Sequence, residues 1–144
     1  MTHVRIAGAW LLLAALAACD GQRGAAPAVI APIEQGEGRV EWNGMQPCAD
    51  CEGIETRLVL TRDGGRRNFV LSETYLAERP VRFVASGRWQ RERDLLQLVA
   101  EDGSRLSYAL LADGRLQPRD ARGRRLATSD GDGLLMPATS PARR

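Results

Sequence analysis

Three cysteines carry most of the chemistry open to this sequence, because the other reactive side chains are nearly absent from it. Two of them lie in Pro47-Cys48-Ala49-Asp50-Cys51-Glu52-Gly53-Ile54-Glu55-Thr56, and the third, Cys19, stands apart near the N-terminus. A Cys-x-x-Cys pair supports three chemistries. In an oxidising compartment Cys48 and Cys51 close a disulfide, worth roughly 2 kcal/mol of chain entropy for so short a loop before strain is subtracted. As a redox pair in the manner of thioredoxin they need a thiolate stabilised by a cation or a helix N-terminus. Asp50, Glu52 and Glu55 oppose that, and no βαβ pattern surrounds the pair. As two thiolates they can hold Cu(I) in low coordination, with the Met45 thioether as a candidate third ligand. Taken alone, Met45 also suits plain core packing before a turn. A closed structural zinc site needs four ligands, and two cysteines do not supply them.

The rest of the composition removes whole classes of function. The chain of 144 residues has one histidine, His3, and its 20 basic residues are all arginine. His3 falls in a leader expected to be removed, so hydroxyl or thiol nucleophiles have no imidazole base, and Schiff-base lysine chemistry is excluded. The expectation is a protein that is not an enzyme. With 18 acidic residues the net charge is only +2, and the arginines are spread from end to end. A nucleic-acid reader concentrates its basic charge on one face, so no nucleic-acid partner is expected.

Residues 1–18 have the layout of a lipoprotein signal peptide: Arg5, an apolar run through Trp10-Leu11-Leu12-Leu13, then small residues. The run is broken too soon by Cys19, Asp20 and Arg23 to span a bilayer, which takes about 20 apolar residues. Leu16-Ala17-Ala18-Cys19 resembles the bacterial lipobox, and this assigns lipidation to Cys19. Two or more acyl chains, at roughly 0.8 kcal/mol per buried CH₂, hold a protein stably on a bilayer. Residues 19–36, with Gly24-Ala25-Ala26-Pro27 and Gln35-Gly36, read as a flexible tether. Residues 129–144, with Gly131, Gly133, Pro137 and Pro141, read as a disordered or loosely docked tail around Leu134-Leu135-Met136.

Between them, residues 37–128 repeat with period two. Val81, Phe83, Ala85, Gly87 and Trp89 alternate with polar residues, broken only by Val84. Shorter alternations centre on Leu58 and Leu60, Phe69 and Leu71, Leu96 and Leu98, and Leu106, Tyr108 and Leu110. Asp63-Gly64, Asp102-Gly103 and Asp113-Gly114 are hairpin-turn dipeptides, and Arg122-Gly123 is a weaker one. With strands at Arg39 to Asn43 and Arg124 to Thr128, the pattern predicts an all-β domain of seven or eight short antiparallel strands joined mainly by hairpins. Closure into a small barrel would hide its edges. Trp42 and Trp89 suit barrel-end plugs, and the turn from Arg119 to Arg125 suits a solvated hairpin.

At these residues a resemblance appears. Pro47-Cys48-Ala49-Asp50-Cys51-Glu52-Gly53-Ile54-Glu55-Thr56-Arg57-Leu58-Val59-Leu60 is similar to the signature of the N-terminal domain of NlpE-type copper resistance or copper homeostasis lipoproteins. The similarity extends through Glu73-Thr74-Tyr75, Ser86-Gly87-Arg88-Trp89 and Asp94-Leu95-Leu96-Gln97-Leu98. It implies a lipocalin-like barrel, a periplasm-facing place in the cell envelope and roles in copper tolerance and surface sensing. It also implies activation of an envelope stress pathway through a sensor protein. Cys48 and Cys51 fall on the family's Cys-x-x-Cys. Gln46 replaces an apolar residue, and with no further cysteine pair in this sequence the expectation is that it does not include the second, OB-like domain of larger members. Asp20 is an inner-membrane retention signal in enteric bacteria, whereas the family expectation is the outer membrane. A competing reading is a carrier that holds one small apolar ligand within the barrel and uses the disulfide only structurally.

Overall fold

The computed structural model describes residues 29–126 and 133–138. The alternating segments form one antiparallel sheet of eight strands: β1 (Gly38–Gln46), β2 (Gly53–Asp63), β3 (Arg66–Leu76), β4 (Val81–Glu92), β5 (Leu95–Ala100), β6 (Arg105–Leu110), β7 (Leu116–Arg119) and β8 (Met136–Pro137). A one-turn helix, α1 (Ala31–Gln35), precedes them. The strand order is β7-β6-β5-β4-β3-β2-β1-β8, so each strand from β1 to β7 pairs with its sequence neighbours, as hairpin connections require.

Register turns the period-two pattern into a core. Leu58 lies opposite Leu71 and Leu60 opposite Phe69, while Trp89 lies opposite Leu98 and Leu96 opposite Tyr108. All of these side chains are buried. The Asp-Gly turns are as predicted, with Gly64 and Gly103 at φ 53° and 85°, where a side chain would be strained. Gly87 has a different role. A Cβ there would lie 2.1 Å from the Val99 carbonyl oxygen and 2.9 Å from the Phe69 ring. Its bare backbone lets β4 come close to β5.

The end of the barrel next to α1 is plugged. Ile30 and Ile33 are fully buried against the interior, and Trp42 donates its indole N–H to the Gly114 carbonyl at 2.8 Å. Trp89 donates to the Thr61 carbonyl at 2.9 Å, with the Arg67 guanidinium 4.9 Å from its ring centre. The tryptophans therefore pack as the sequence suggested, each with its one polar atom satisfied. Arg62 and Arg91 clamp the helix from outside, Arg62 to the Glu34 carbonyl and Arg91 to the Glu34 carboxylate.

Three expectations about the flanks need correction. Residues 133–138 were expected within the tail, yet they complete the barrel. β8 pairs with β1, and Leu135 and Leu116 exchange backbone hydrogen bonds of 2.9 Å in both directions. Leu135 is 0% exposed, so hydrophobic burial holds this short segment despite the glycines and prolines around it. Likewise, residues 29–36 are not tether but part of the packed end. The strand expected from Arg124 to Thr128 is, among the described residues, a single bridge between Arg119 and Arg125, and residues 127–128 lie outside them. The Arg119 to Arg125 turn is a tight hairpin in which Asp120 caps the Arg122 and Arg124 amides, both at 2.8 Å, and pairs with the Arg124 guanidinium.

Candidate functional site

Opposite the plugged end, the strands have unequal lengths, and this shapes the surface most suited to recognition. β4 runs for 12 residues and β5 for six, and β5 pairs only with Gly87 to Glu92. Past that point the Glu101 amide still donates to the Ser86 carbonyl at 2.9 Å. Beyond Ser86 no strand among the described residues pairs with β4 on this side, although β3 pairs with it as far as Val81. The distal parts of β2, β3 and β4 thus form a flap projecting past the barrel wall.

The inner face of this flap is only half covered. Phe83, one of the alternating apolar residues of the sequence, does take an inward register position but is 56% exposed, because β5 has ended before reaching it. It stacks edge-on against Tyr75 with ring centres 5.3 Å apart. Val81 beside it is 50% exposed, and Val84 on the opposite face is 61% exposed. Val84 is the residue that interrupts the alternation in the sequence, and it sits on this unpaired stretch.

Deeper in the same half lies a carboxyl group. Glu73 takes the inward position between Leu71 and Tyr75, opposite Thr56 on β2 and Phe83 on β4. Burial raises its pKa above the ordinary carboxyl value. Tyr108, buried on β6, has its phenol pushed up by burial first and by the Glu73 charge second. The interior here is polar, with Thr56 the buried hydroxyl beside Glu73. No role was assigned to Glu73 from sequence; the available signal was an acidic residue at an inward position of an otherwise apolar alternation.

On the outer face, Arg57 grips Glu41 with two hydrogen bonds of 2.6 and 2.8 Å. That pairing, led by the Arg57 hydrogen bonds, lowers the Glu41 carboxyl to about 2. A shallow depression beside it is bordered by Asn43, Glu55, Ser72, Thr74 and Arg82. The Arg82 guanidinium donates to the Ser72 hydroxyl at 3.1 Å.

The loop joining β1 to β2 lies at this open end and carries the cysteine pair. Cys48 and Cys51 are joined, with Cα atoms 5.3 Å apart. The Cys51 sulfur is 3.4 Å from the Gly53 carbonyl oxygen, a contact and not a hydrogen bond, since a disulfide sulfur carries no proton. Met45 faces outward, half exposed, and its Sδ lies over Gly53, where a Cβ would be 2.6 Å away. In the bonded state the pair offers no thiolate, so these donors do not fit Cu(I) as they stand. Among the described residues no group of three or more histidine, cysteine, aspartate or glutamate side chains is placed to hold a metal. Cys19 and its lipobox, like the leader of residues 1–18, lie outside the described residues.

With this geometry in place, comparisons with known proteins place the chain among relatives. A family model described as the NlpE N-terminal domain matches residues 42–129. The lipoprotein NlpE of Escherichia coli strain K12 is 43% identical over 74 residues, which amount to 50% of this chain and 30% of that protein. The crystal structure of the Cpx pathway activator NlpE from Escherichia coli matches with a TM-score of 0.55 at 34% identity, covering 73% of this chain and 51% of that one. The chain thus corresponds to about half of the crystallised relative.

Proposed function

The chain belongs to the NlpE N-terminal domain family, and from that premise we propose that it is a lipid-anchored envelope lipoprotein that activates an envelope stress pathway through protein contact. The observation that carries this reading is the 34% identity over most of the chain to a protein described as a Cpx pathway activator. The composition agrees, since its one histidine, His3, falls in the proposed leader and it has no lysine. The Leu16-Ala17-Ala18-Cys19 lipobox supports acylation of Cys19 and attachment to a bilayer facing the periplasm. The outer membrane is the proposed site, on the family expectation.

Expression of the full chain in a strain carrying an envelope-stress reporter tests the reading, with Cys19→Ser as a companion and radiolabelled palmitate as the measure of acylation. Reporter induction by the full chain is expected, together with palmitate incorporation that the substitution abolishes. Absence of induction from a stably produced, acylated protein would overturn it.

A role in copper tolerance is part of the same proposal. A route through Cys48 and Cys51 requires two-electron reduction of their disulfide to two thiols, which must then deprotonate before they can bind Cu(I). Differential alkylation of protein taken directly from the envelope, with and without copper, decides this. A pair that stays wholly oxidised under every condition excludes the thiolate route and leaves surface contact as the means of action. The carrier reading has less support. The α1 half is filled by side chains, and in the other half Val81 and Phe83 are half exposed at the β4 edge.

A further inference from the structure

The unpaired stretch of β4 has the properties of a docking edge, and its backbone polarity can be worked out from a single hydrogen bond. The Ser86 carbonyl points to the β5 side, where it accepts from the Glu101 amide. Peptide groups alternate direction along a strand with period two. The N–H and C=O of Val84 and Arg82 therefore point to the same open side, while those of Phe83 and Ala85 point to β3. An unpaired edge of this kind is a template for another strand, and it is apolar on one face at Val81, Phe83 and Ala85. Native edges are usually blunted by charge or proline. Here Pro80 precedes the stretch, and Arg82 is the one charged side chain within Val81–Ala85.

We propose that the β4 edge from Val81 to Ala85 binds an extended segment of a partner protein by strand addition, and that this segment carries carboxylates on its outer face and small apolar residues on its inner face. The inner requirement follows from Val81 and Phe83, half exposed at inward positions, which offer apolar contact to alternate residues of an added strand. The outer requirement follows from Arg82, whose hydrogen bond goes to the neutral Ser72 hydroxyl, leaving its charge without a carboxylate partner among the described residues. Opposite charges on directly facing strand residues are favourable and like charges unfavourable. A second copy of this chain suits the edge less well. Antiparallel pairing centred on Phe83 sets Arg82 against Val84, and pairing centred on Arg82 sets two arginines face to face. The inference deepens the contact-based reading above by naming the surface and the chemistry of the partner. Its test uses purified protein and no stress reporter, so either can fail without the other.

The experiment titrates the full chain, ¹⁵N-labelled, unlipidated and otherwise intact, with a blocked peptide of alternating glutamate and valine, following amide hydrogen exchange residue by residue. A peptide alternating lysine and valine is the control. Exchange at Arg82 and Val84 should slow by at least about tenfold near saturation, with little change at Phe83, whose N–H already faces β3; the acidic peptide should bind at least about tenfold more tightly than the basic one. Val84→Pro removes an edge-facing N–H where proline is compatible with an edge strand, and it should abolish the protection. Arg82→Glu should reverse the preference between the peptides, and it decides the question alone if the proline variant does not fold. Protection confined to other residues, no binding, or equal binding of both peptides would overturn the proposal. So would concentration-dependent dimerisation that protects the same two amides without peptide.

Discussion

The two halves of this barrel are built from the same strands and reach opposite solutions to the problem of covering an inner face. Next to α1, each inward position meets another element: Ile30 and Ile33 cap the interior, Trp42 reaches the Gly114 carbonyl, and Leu135 completes the ring against Leu116. In the other half β5 and β6 are too short to face the ends of β2, β3 and β4, so Phe83 and Val81 stay half exposed and a carboxyl group can be tolerated behind them. The difference shows how strand length, more than residue type, decides which end of a small barrel is core and which is surface. Phe83 is as apolar as Phe69, yet only Phe69 has a strand on both sides at its level.

The largest effect that would test this contrast is expected at Leu135. Leu135→Ala removes buried methyl groups at the closing seam and should cost about 2–5 kcal/mol, measured by urea unfolding. A loss below about 1 kcal/mol would mean that the seam does not hold the barrel shut. Next is the disulfide at the open rim. Cys48→Ser with Cys51→Ser should cost about 2 kcal/mol or less, given the shortness of the loop, and should leave the amide spectrum of the α1 half unchanged.

Glu73→Gln should act in the opposite direction. Its folded pKa is raised, so burial penalises the ionised form once the pH exceeds the ordinary carboxyl value. The amide should therefore stabilise the protein at neutral pH by on the order of 1 kcal/mol, and the gain should vanish as the pH falls below that value. A gain that persists in acid would point to packing instead of charge. Glu41 has the reverse sign, because its carboxyl is lowered from 4.5 to about 2. Its contribution is fully present above about pH 4.5 and is lost as the pH falls toward 2; Glu41→Gln at neutral pH should cost less than about 1 kcal/mol, as befits a pair near the surface. The smallest effect belongs to Phe83→Ser, which should change stability by no more than about 0.5 kcal/mol. A large loss there would show that the open half is packed after all.

The strands and turns were legible in the sequence because both signals are local. Alternation over a few residues names a strand, and an Asp-Gly pair names a tight turn at Gly64 or Gly103. The disulfide was one of three readings open to a Cys-x-x-Cys pair, and neighbouring residues could weigh them without deciding. What could not be read was the pairing between distant parts of the chain. Leu135 sits among glycines and prolines, and only its non-local neighbours, Leu116 across the bridge and Gly44 on β1, make it core. Ile30 and Ile33 were hidden for the same reason, in a segment whose Ala, Pro and Gly content reads as linker. Val84 did break its strand's alternation visibly. That break became interpretable only once β5 was seen to stop short.

The packed end also sets the direction in which the barrel presents itself. Val29 and Pro137 both lie against Gly114, so the described chain begins and finishes on the same side of the molecule. Anything attached ahead of Val29 pulls on the α1 end. The disulfide loop, the carboxyl-bearing interior and the free β4 edge are then carried on the far side, pointing away from the point of attachment. A chain held from the Val29 side would therefore keep its packed end toward the holder and its β4 edge turned outward.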